Sequence, residues 1–559
     1  LVTAQVFAPE VAAQSNTKPS AGAYLAARQA AFGNDFSQAA RYHTQALLTD
    51  PANPQLLEGG MAAYLALGNI DAAGPIADAM IGFEINSQIA HLVRNVRVAQ
   101  KEDWRAIFQA LEAGHEIGPL IDGLSQAWAH MGQGEVRKAM ERFDAVIAAP
   151  ETQAYGLLHK ALALAMVGDF EAAAEILSPT ATPQVRHSRR SAIAMAQMLS
   201  QLERNTEAVA LLDGVFGGQL DASLESMRAA LIAGETLTYT SVPSPKDGFA
   251  EIYFNVASAL RDEAPNSYVL LYLRAALALR PSDTEMLLVT ADLLDDMEQY
   301  ALAQTIYAQV AIDDPSYIDA ELGRADALIQ LDNFDAAVEA LQTLARTYPE
   351  RAQIHATLGD TWRRKGDMQA ANDAYSDALA RYPEDSPALW FVYYTRAITF
   401  HQLDQWAEAE ADFRKSLTYR PDQAQVLNYL GYSLVERNEK LDEALDMIER
   451  AVAAQPDNGA IVDSLAWVYF RLGRYADAVT PMERAATLEP VDPIVLDHLG
   501  DVYWAVGRKL EAAFQWQRAL SFDPEEEEAD RIRRKLEVGL DAVLVTEGQD
   551  PIHIAQDAN

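Results

Sequence analysis

Apolar positions along this chain recur with a helical step, and from about residue 250 the whole pattern repeats at a near-constant stride. Each repeat carries a small residue at a fixed place in its first stretch: Ala291, Ala325, Gly359, Ala397, Gly431, Ala466 and Gly500. A second small residue follows on the next stretch: Ala303, Ala337, Ala371, Ala409, Ala444, Ala478 and Ala512. Four positions later stands a bulky one: Tyr307, Leu341, Tyr375, Phe413, Ile448, Met482 and Trp516. A four-residue step keeps two side chains on one helix face. The pattern therefore predicts paired helices that cross closely at the small residues, with the bulky ones filling the space between units.

Punctuation agrees with the periodicity. Pro281, Pro315, Pro349, Pro383, Pro421, Pro456, Pro490 and Pro524 are separated by 34, 34, 34, 38, 35, 34 and 34 residues. Each closes a unit, because proline has a fixed φ and no N–H with which to continue a helix. The turns LGRYADA (472–478) and VGRKLEA (506–512) place glycine where the first helix ends, a position that favours left-handed backbone. A fixed period near 34 residues predicts a repeat solenoid in which each unit packs only on its neighbours. The 559 residues then need no single core.

These positions match the tetratricopeptide repeat, and the chain resembles that family over seven units between Pro281 and Pro524; LGDVYWAVGRKLEAAFQWQRALSFDP (499–524) is close to its consensus. The resemblance implies an all-α, right-handed superhelical solenoid of helix-turn-helix repeats. The N-terminal half carries the motif more loosely, in AYLAARQAAFGNDFSQAARYHTQALLTDP (23–51), GGMAAYLALGNIDAAGPIADAMI (59–81), LSQAWAHMGQGEVRKAMERFDAVI (124–147), LLHKALALAMVGDFEAAAEIL (157–177) and AIAMAQMLSQLERNTEAVALLD (192–213). About a dozen helical pairs are expected in all. The expected organisation is a signal-peptide remnant or disordered start over 1–20, divergent repeats over 21–213 and an irregular connector over 214–250. Regular repeats follow over 251–524, then a capping helix over 525–545 and a disordered tail over 546–559. The connector rests on the polar, proline-rich TLTYTSVPSPKDG (236–248), which reads as a break in helix.

The stretch 426–479, continuing through DHLGDVYWAVGRKLEA (497–512), resembles bacterial envelope repeat proteins. That group includes the lipoprotein binding partner of the carboxyl-terminal processing protease. The resemblance implies an adaptor that holds a processing protease and presents its substrates. LVTAQVFAPEVAAQS (1–15) resembles the tail of a secretory signal, with Val11-Ala12-Ala13 before Gln14, so a periplasmic location is expected. The alternative expectation is a cytoplasmic assembly factor for a secretion or regulatory complex.

Charge and composition narrow the function. Net charge is −37, from 44 basic and 81 acidic side chains, which argues against binding nucleic acid through phosphates. It favours a basic partner instead. Cysteine is absent, which removes thiol chemistry, cysteine-held metals and the residue on which that relative's lipid anchor is built. No run of 18 apolar residues occurs, so no transmembrane segment is expected. The ten histidines form no HExxH pair, and there is no GxSxG elbow, Walker loop or GxGxxG after a strand. MGQGEV (131–136) occupies a repeat turn. Neither an enzyme, a cofactor nor a metal is expected.

What the family resemblance offers is an inner groove. With the first small residue as position 8, positions 2, 5, 9, 12 and 13 face that groove in tetratricopeptide proteins. In the last four units those positions include Tyr394, His401, Asn428, Tyr432, Asp463, Trp467, Phe470, Arg471, Asp497, Asp501 and Trp504. Aromatic anchors among Asn, Asp and Arg suit peptide recognition. Position 5 reads Tyr394, Asn428, Asp463 and Asp497, so the Lys/Arg clamp some members use for a terminal carboxylate is missing. An internal or basic client segment is expected.

Overall fold

The computed structural model describes residues 21–178, 187–217 and 220–552. The expected signal remnant and residues 553–559 of the expected tail lie outside these. Among the described residues there are 31 helices and no strand. They fall into two compact units that divide between Ala340 and Leu341.

Unit 1 opens with the pairs α1 (Ala21–Phe32) and α2 (Phe36–Leu47), α3 (Pro54–Ala66) and α4 (Ile70–Gly82), and α5 (Gln88–Gln100) and α6 (Trp104–Glu112). Next come α7 (Pro119–Gly132) with α8 (Val136–Ile147), α9 (Gln153–Met166) with α10 (Phe170–Leu177), and α11 (Arg189–Gln201) with α12 (Asn205–Phe216). A lone α13 (Ala222–Ile232) precedes the hairpin α14 (Pro245–Leu260) and α15 (Asn266–Leu279). Then follow α16 (Thr284–Asp296), α17 (Tyr300–Tyr307), α18 (Tyr317–Gln330) and α19 (Phe334–Thr347), within which the division falls.

Unit 2 holds α20 (Ala352–Lys365) with α21 (Met368–Leu379), α22 (Leu389–Gln402) with α23 (Trp406–Tyr419), and α24 (Ala424–Glu436) with α25 (Leu441–Ala454). It continues with α26 (Gly459–Arg471) and α27 (Tyr475–Leu488), then α28 (Pro493–Ala505) and α29 (Lys509–Leu520), and ends in α30 (Glu526–Val538) and α31 (Leu540–Thr546).

The repeat chemistry acts where the periodicity put it, with one correction. Ala291, Ala325, Ala397 and Ala466 are fully buried, as are Ala303, Ala337, Ala371, Ala409, Ala444, Ala478 and Ala512. Tyr307 packs between units as expected, a Cβ on Gly323 of α18 lying 2.7 Å from its ring, but Tyr375, Ile448 and Trp516 seat against the small residue of their own pair. A Cβ on Gly359 would lie 2.5 Å from the Tyr375 ring, one on Gly431 2.7 Å from Ile448, and one on Gly500 2.4 Å from Trp516. Gly500→Ala is therefore expected to destabilise unit 2 by about 1–3 kcal/mol through overpacking, measured by urea denaturation against wild type. Where LGRYADA and VGRKLEA use glycine, Gly473 and Gly507 have φ of 74° and 83°. Asp404 and Asn438 take the same left-handed backbone in neighbouring units, at φ 59° and 55°, which short polar side chains tolerate.

The stretch expected as an irregular connector, 214–250, is partly helical: it contains α13 and the start of α14. The sequence Ser244-Pro245-Lys246-Asp247, read as a turn, is a helix start. Ser244 accepts from the Asp247 N–H and Pro245 takes the first helical turn, both favoured N-terminal chemistry.

The hairpin α14–α15 is not one more unit in the row. Along the inner face of unit 1 the first helices α1, α3 and α5 touch in succession, as do α7, α9 and α11, and the hairpin lies against them: α14 on α5, α7 and α9, α15 on α3 and α5. Its burial is nearly all-round, with Phe249, Ile252 and Tyr253 on α14 and Leu270, Ala275 and Ala276 on α15 fully enclosed. Backbone of Gly248 touches the Trp128 indole, where a Cβ would sit at 2.2 Å, and Phe249 stacks on Trp104 at 5.5 Å. Arg274 Nε donates to the Ala66 carbonyl at the end of α3 over 2.8 Å. A cation there also meets the negative end of the helix dipole. Burial pushes the Arg274 guanidinium down to about 10.

At the C-terminus the expected single capping helix is two, broken at Gly539. Gly539 has φ 83° and packs so closely on Trp504 that a Cβ would lie 2.5 Å from its ring. The expected disordered tail is ordered as far as Ile552, whose N–H donates to Asp541 over 3.0 Å.

Candidate partner-binding groove

In unit 2 the first helices α24, α26 and α28 touch in succession, so their exposed sides form one inner face. The cap helices α30 and α31 close its C-terminal end. The result is a pocket of about 340 Å³, lined from α24 by Tyr432 and Glu436 and from α26 by Trp467, Phe470 and Arg471. Asp497, His498 and Asp501 line it from α28, and Glu528, Arg531, Ile532 and Glu547 from the cap.

Six of the eleven expected groove residues meet at this pocket: Tyr432, Trp467, Phe470, Arg471, Asp497 and Asp501. Trp467 is only 8% exposed. It lies parallel to His498 at 4.0 Å and to Phe470 at 4.8 Å, and its Nε1 donates to Glu436 over 2.6 Å. Rings at those distances occupy both indole faces, so Trp467 forms the pocket wall rather than offering a free face. Asp463 sits behind that wall and accepts from His498 Nδ1 at 3.0 and 3.1 Å.

Two expected contacts serve the cap instead. Asp501 is fully buried, accepting from Lys535 Nζ at 2.7 Å and from Trp516 Nε1 at 2.9 Å. Trp504 donates to Asp541 of α31 over 2.9 Å. Tyr394 and His401 belong to a separate aromatic cluster, both packed edge-on to Tyr429, whose hydroxyl is 3.1 Å from His401 Nδ1. Asn428 belongs to neither group, and its buried Oδ1 has no hydrogen-bond partner among the described residues.

The tetratricopeptide repeat profile matches residues 124–183, 322–386, 394–460 and 464–527. The chain carries tetratricopeptide repeats. A TPR repeat-containing protein of Pseudomonas aeruginosa is 31% identical over 187 residues, covering 33% of this chain and 31% of that protein; the chain thus spans under a third of that relative's length. Among solved structures it is similar to a tetratricopeptide repeat protein from Parabacteroides merdae. That match has 17% identity and a TM-score of 0.36, over 46% of this chain and 98% of that one. It is also similar to the Cut9–Hcn1 assembly of the APC/C, at 14% identity and a TM-score of 0.39, over 93% of this chain and 96% of that one.

Tetratricopeptide numbering found the inner-face positions but missed the residues supplied from outside the 34-residue frame. Lys535, Glu528, Arg531 and Glu547 come from the cap. The signal available for them was the alternation of charge in ADRIRRKLEVGL (529–540), where one lysine falls on the apolar side. His498 sits one position beyond the groove position Asp497 and was missed for that reason.

His498 gives the pocket a titratable wall. Burial works against its protonation, but the carboxylates of Asp463, Asp497 and Asp501 overcome it and raise its pKa above the ordinary 6.5. A group raised in the fold contributes stability fully below its unfolded pKa and loses it as pH rises through the folded value. The His498–Asp463 pair is thus expected to support unit 2 fully below pH 6.5 and to weaken as pH rises through the raised folded value. NMR titration of His498 should give a midpoint above 6.5, and Asp463→Asn should lower it.

Among the described residues no helix is long and apolar enough to cross a membrane, and no group of three or more His, Cys, Asp or Glu is arranged to hold a metal.

Proposed function

We propose that this chain is a non-catalytic scaffold that binds client proteins on the inner face of unit 2, acting in a bacterial envelope as an adaptor for a processing protease. One observation carries the choice of surface. The inner face of unit 1 is filled by the chain's own hairpin α14–α15, whereas that of unit 2 ends in an open pocket with polar and aromatic walls. Tetratricopeptide repeats serve protein–protein interaction, and a groove with Tyr432 and carboxylates at its end suits an extended client. The protease-adaptor role is supported by the likeness of residues 426–512 to envelope repeat proteins. The envelope location is supported by that same likeness and by the small residues before Gln14. Holding a protease and its substrate on one chain would raise their local concentration.

The test is photo-crosslinking in native lysate, with p-benzoylphenylalanine at Tyr432 in the pocket or at Phe514, which is 68% exposed on α29. Adducts at position 432 and none at 514 support the inner face, and a protease or cell-wall hydrolase among them supports the adaptor role. Adducts confined to 514 would overturn the choice of surface.

A further inference from the structure

The terminal pocket of unit 2 carries an unbalanced charge. Five carboxylates line it, from Glu436, Asp497, Asp501, Glu528 and Glu547, against the guanidiniums of Arg471 and Arg531. Lys535, bound beneath to Asp497 and Asp501, supplies a third cation. Asp463 and His498 form a pair that is neutral when the imidazole is protonated and negative when it is not. The surroundings are therefore at least two charges negative.

Internal pairing also shows which charge is unspent. Lys535 holds Asp497 and Asp501, Arg531 holds Glu547 at 2.9 Å, and Arg471 stands 3.6 Å from Glu436. Glu528 lines the pocket with no ion pair among the described residues. Glu436 and Glu528 line the same pocket as Tyr432, whose hydroxyl is held neutral by burial and by the carboxylates of Glu436, Asp463 and Glu528. Pro493, Ile494, Ile532 and Leu544 supply apolar wall, and Gln549 adds a neutral polar group. An anionic group would enter a negative field in which both guanidiniums are already engaged. A long aliphatic stem tipped with a cation would meet apolar walls along its length and carboxylates at its head.

We propose that this pocket receives a lysine or arginine side chain of a client segment, its stem against Ile494 and Ile532 and its cation at Glu528 and Glu436. The inference rests on the reading of unit 2's inner face as the client surface, and it names the residue type that surface selects. Tyr432 contributes a ring beside the cation. Trp467, enclosed between His498 and Phe470, keeps the wall rigid.

The test uses the full chain labelled with 5-fluorotryptophan and three capped tetrapeptides, Ac-Ala-Arg-Ala-Ala-NH2 and its glutamate and leucine counterparts. The Trp467 fluorine signal is assigned with Trp467→Phe. The arginine peptide is expected to shift that signal while the glutamate and leucine peptides leave it in place, and added salt should weaken the effect. Glu528→Gln should weaken binding about tenfold, the worth of one charge-assisted hydrogen bond. Equal binding of the arginine and glutamate peptides, no shift from any peptide, or undiminished binding to Glu528→Gln would each overturn the proposal. If adducts at position 432 persist while Glu528→Gln binds arginine as wild type does, the client surface stands and the cation pocket falls. Loss of those adducts in the wild-type chain removes the client surface itself.

Discussion

Arg190→Ala is expected to destabilise unit 1 by about 3–5 kcal/mol, the cost of leaving buried charge without its partner. Arg190 is 12% exposed and donates to Glu251 on the hairpin at 2.9 and 2.7 Å and to Asp283 at 3.0 Å. Burial works against its charge, but Glu251, Asp283 and Glu285 overcome this and raise its pKa. Removing the cation strands Glu251, which is almost fully buried, and the consequence travels further. Glu251 accepts from Asn255, whose amide lies 3.3 Å from His159 Nε2, and His159 Nδ1 accepts from Trp128 over 3.0 Å. His159 is wholly enclosed and burial pushes it down to about 3, so it stays neutral and has no charge to lend. Among the described residues Glu251 therefore has Arg190 as its one ion-pair partner, whereas Asp283 and Glu285 also meet Arg280 and Arg189, and Arg190 joins α11, α14 and the start of α16. Denaturation followed by circular dichroism measures the loss. The double variant Arg190→Met, Glu251→Leu should recover most of it, since an apolar pair of similar volume often replaces a buried ion pair at little cost. A loss under about 1 kcal/mol for Arg190→Ala would show that water reaches Glu251.

That network also marks where sequence reading stopped. The periodicity located helices well because each repeat is specified locally: alanine at 478, methionine at 482 and glycine at 500 do the same work wherever the unit occurs. The hairpin follows the same local rules, so it reads as an ordinary pair. What sets it apart is the lack of a polar side in YVLLYLRAALAL (268–279), since a helix apolar all round is buried all round. Register alone does not say against what. The partners, Trp104, Trp128 and Ala66, lie more than a hundred residues earlier, and only the folding back of the chain brings them together.

The groove was legible in part for a related reason. Family positions on α24, α26 and α28 converge because repeats stack in register, so Tyr432, Trp467, Phe470, Arg471 and Asp497 meet. Position numbering does not tell a side chain that lines a pocket from one that builds its floor. Asp501 and Trp504 occupy groove positions by number, and the cap claims both. Trp467 keeps its place while both its faces are taken.

The cap supplies the second large effect. Lys535→Met is expected to cost unit 2 about 3–5 kcal/mol and to release α30 and α31 before the rest unfolds. Lys535 is 0% exposed and its ammonium meets Asp497 at 2.7 and 2.9 Å and Asp501 at 2.7 Å. Burial pushes the Asp501 carboxyl up, against the pull of Lys535, so removing the ammonium leaves two acids crowded, with Arg531 at 3.7 and 3.8 Å and His498 as the remaining basic groups beside them. That distant guanidinium places the cost toward the lower end of the range. Limited proteolysis in the segment 521–525 and tryptophan fluorescence from Trp504 and Trp516 would report the release. Asp501→Asn added to Lys535→Met should restore much of the stability, because the asparagine carbonyl still accepts from Trp516 Nε1 while one stranded charge is gone. An additive result, with no recovery in the double variant, would mean that Lys535 acts through packing of its stem rather than through its charge. The same pair of variants tests the pocket: with the cap released, the side of the client site supplied by Glu528 and Ile532 is lost, and the arginine peptide should cease to shift Trp467.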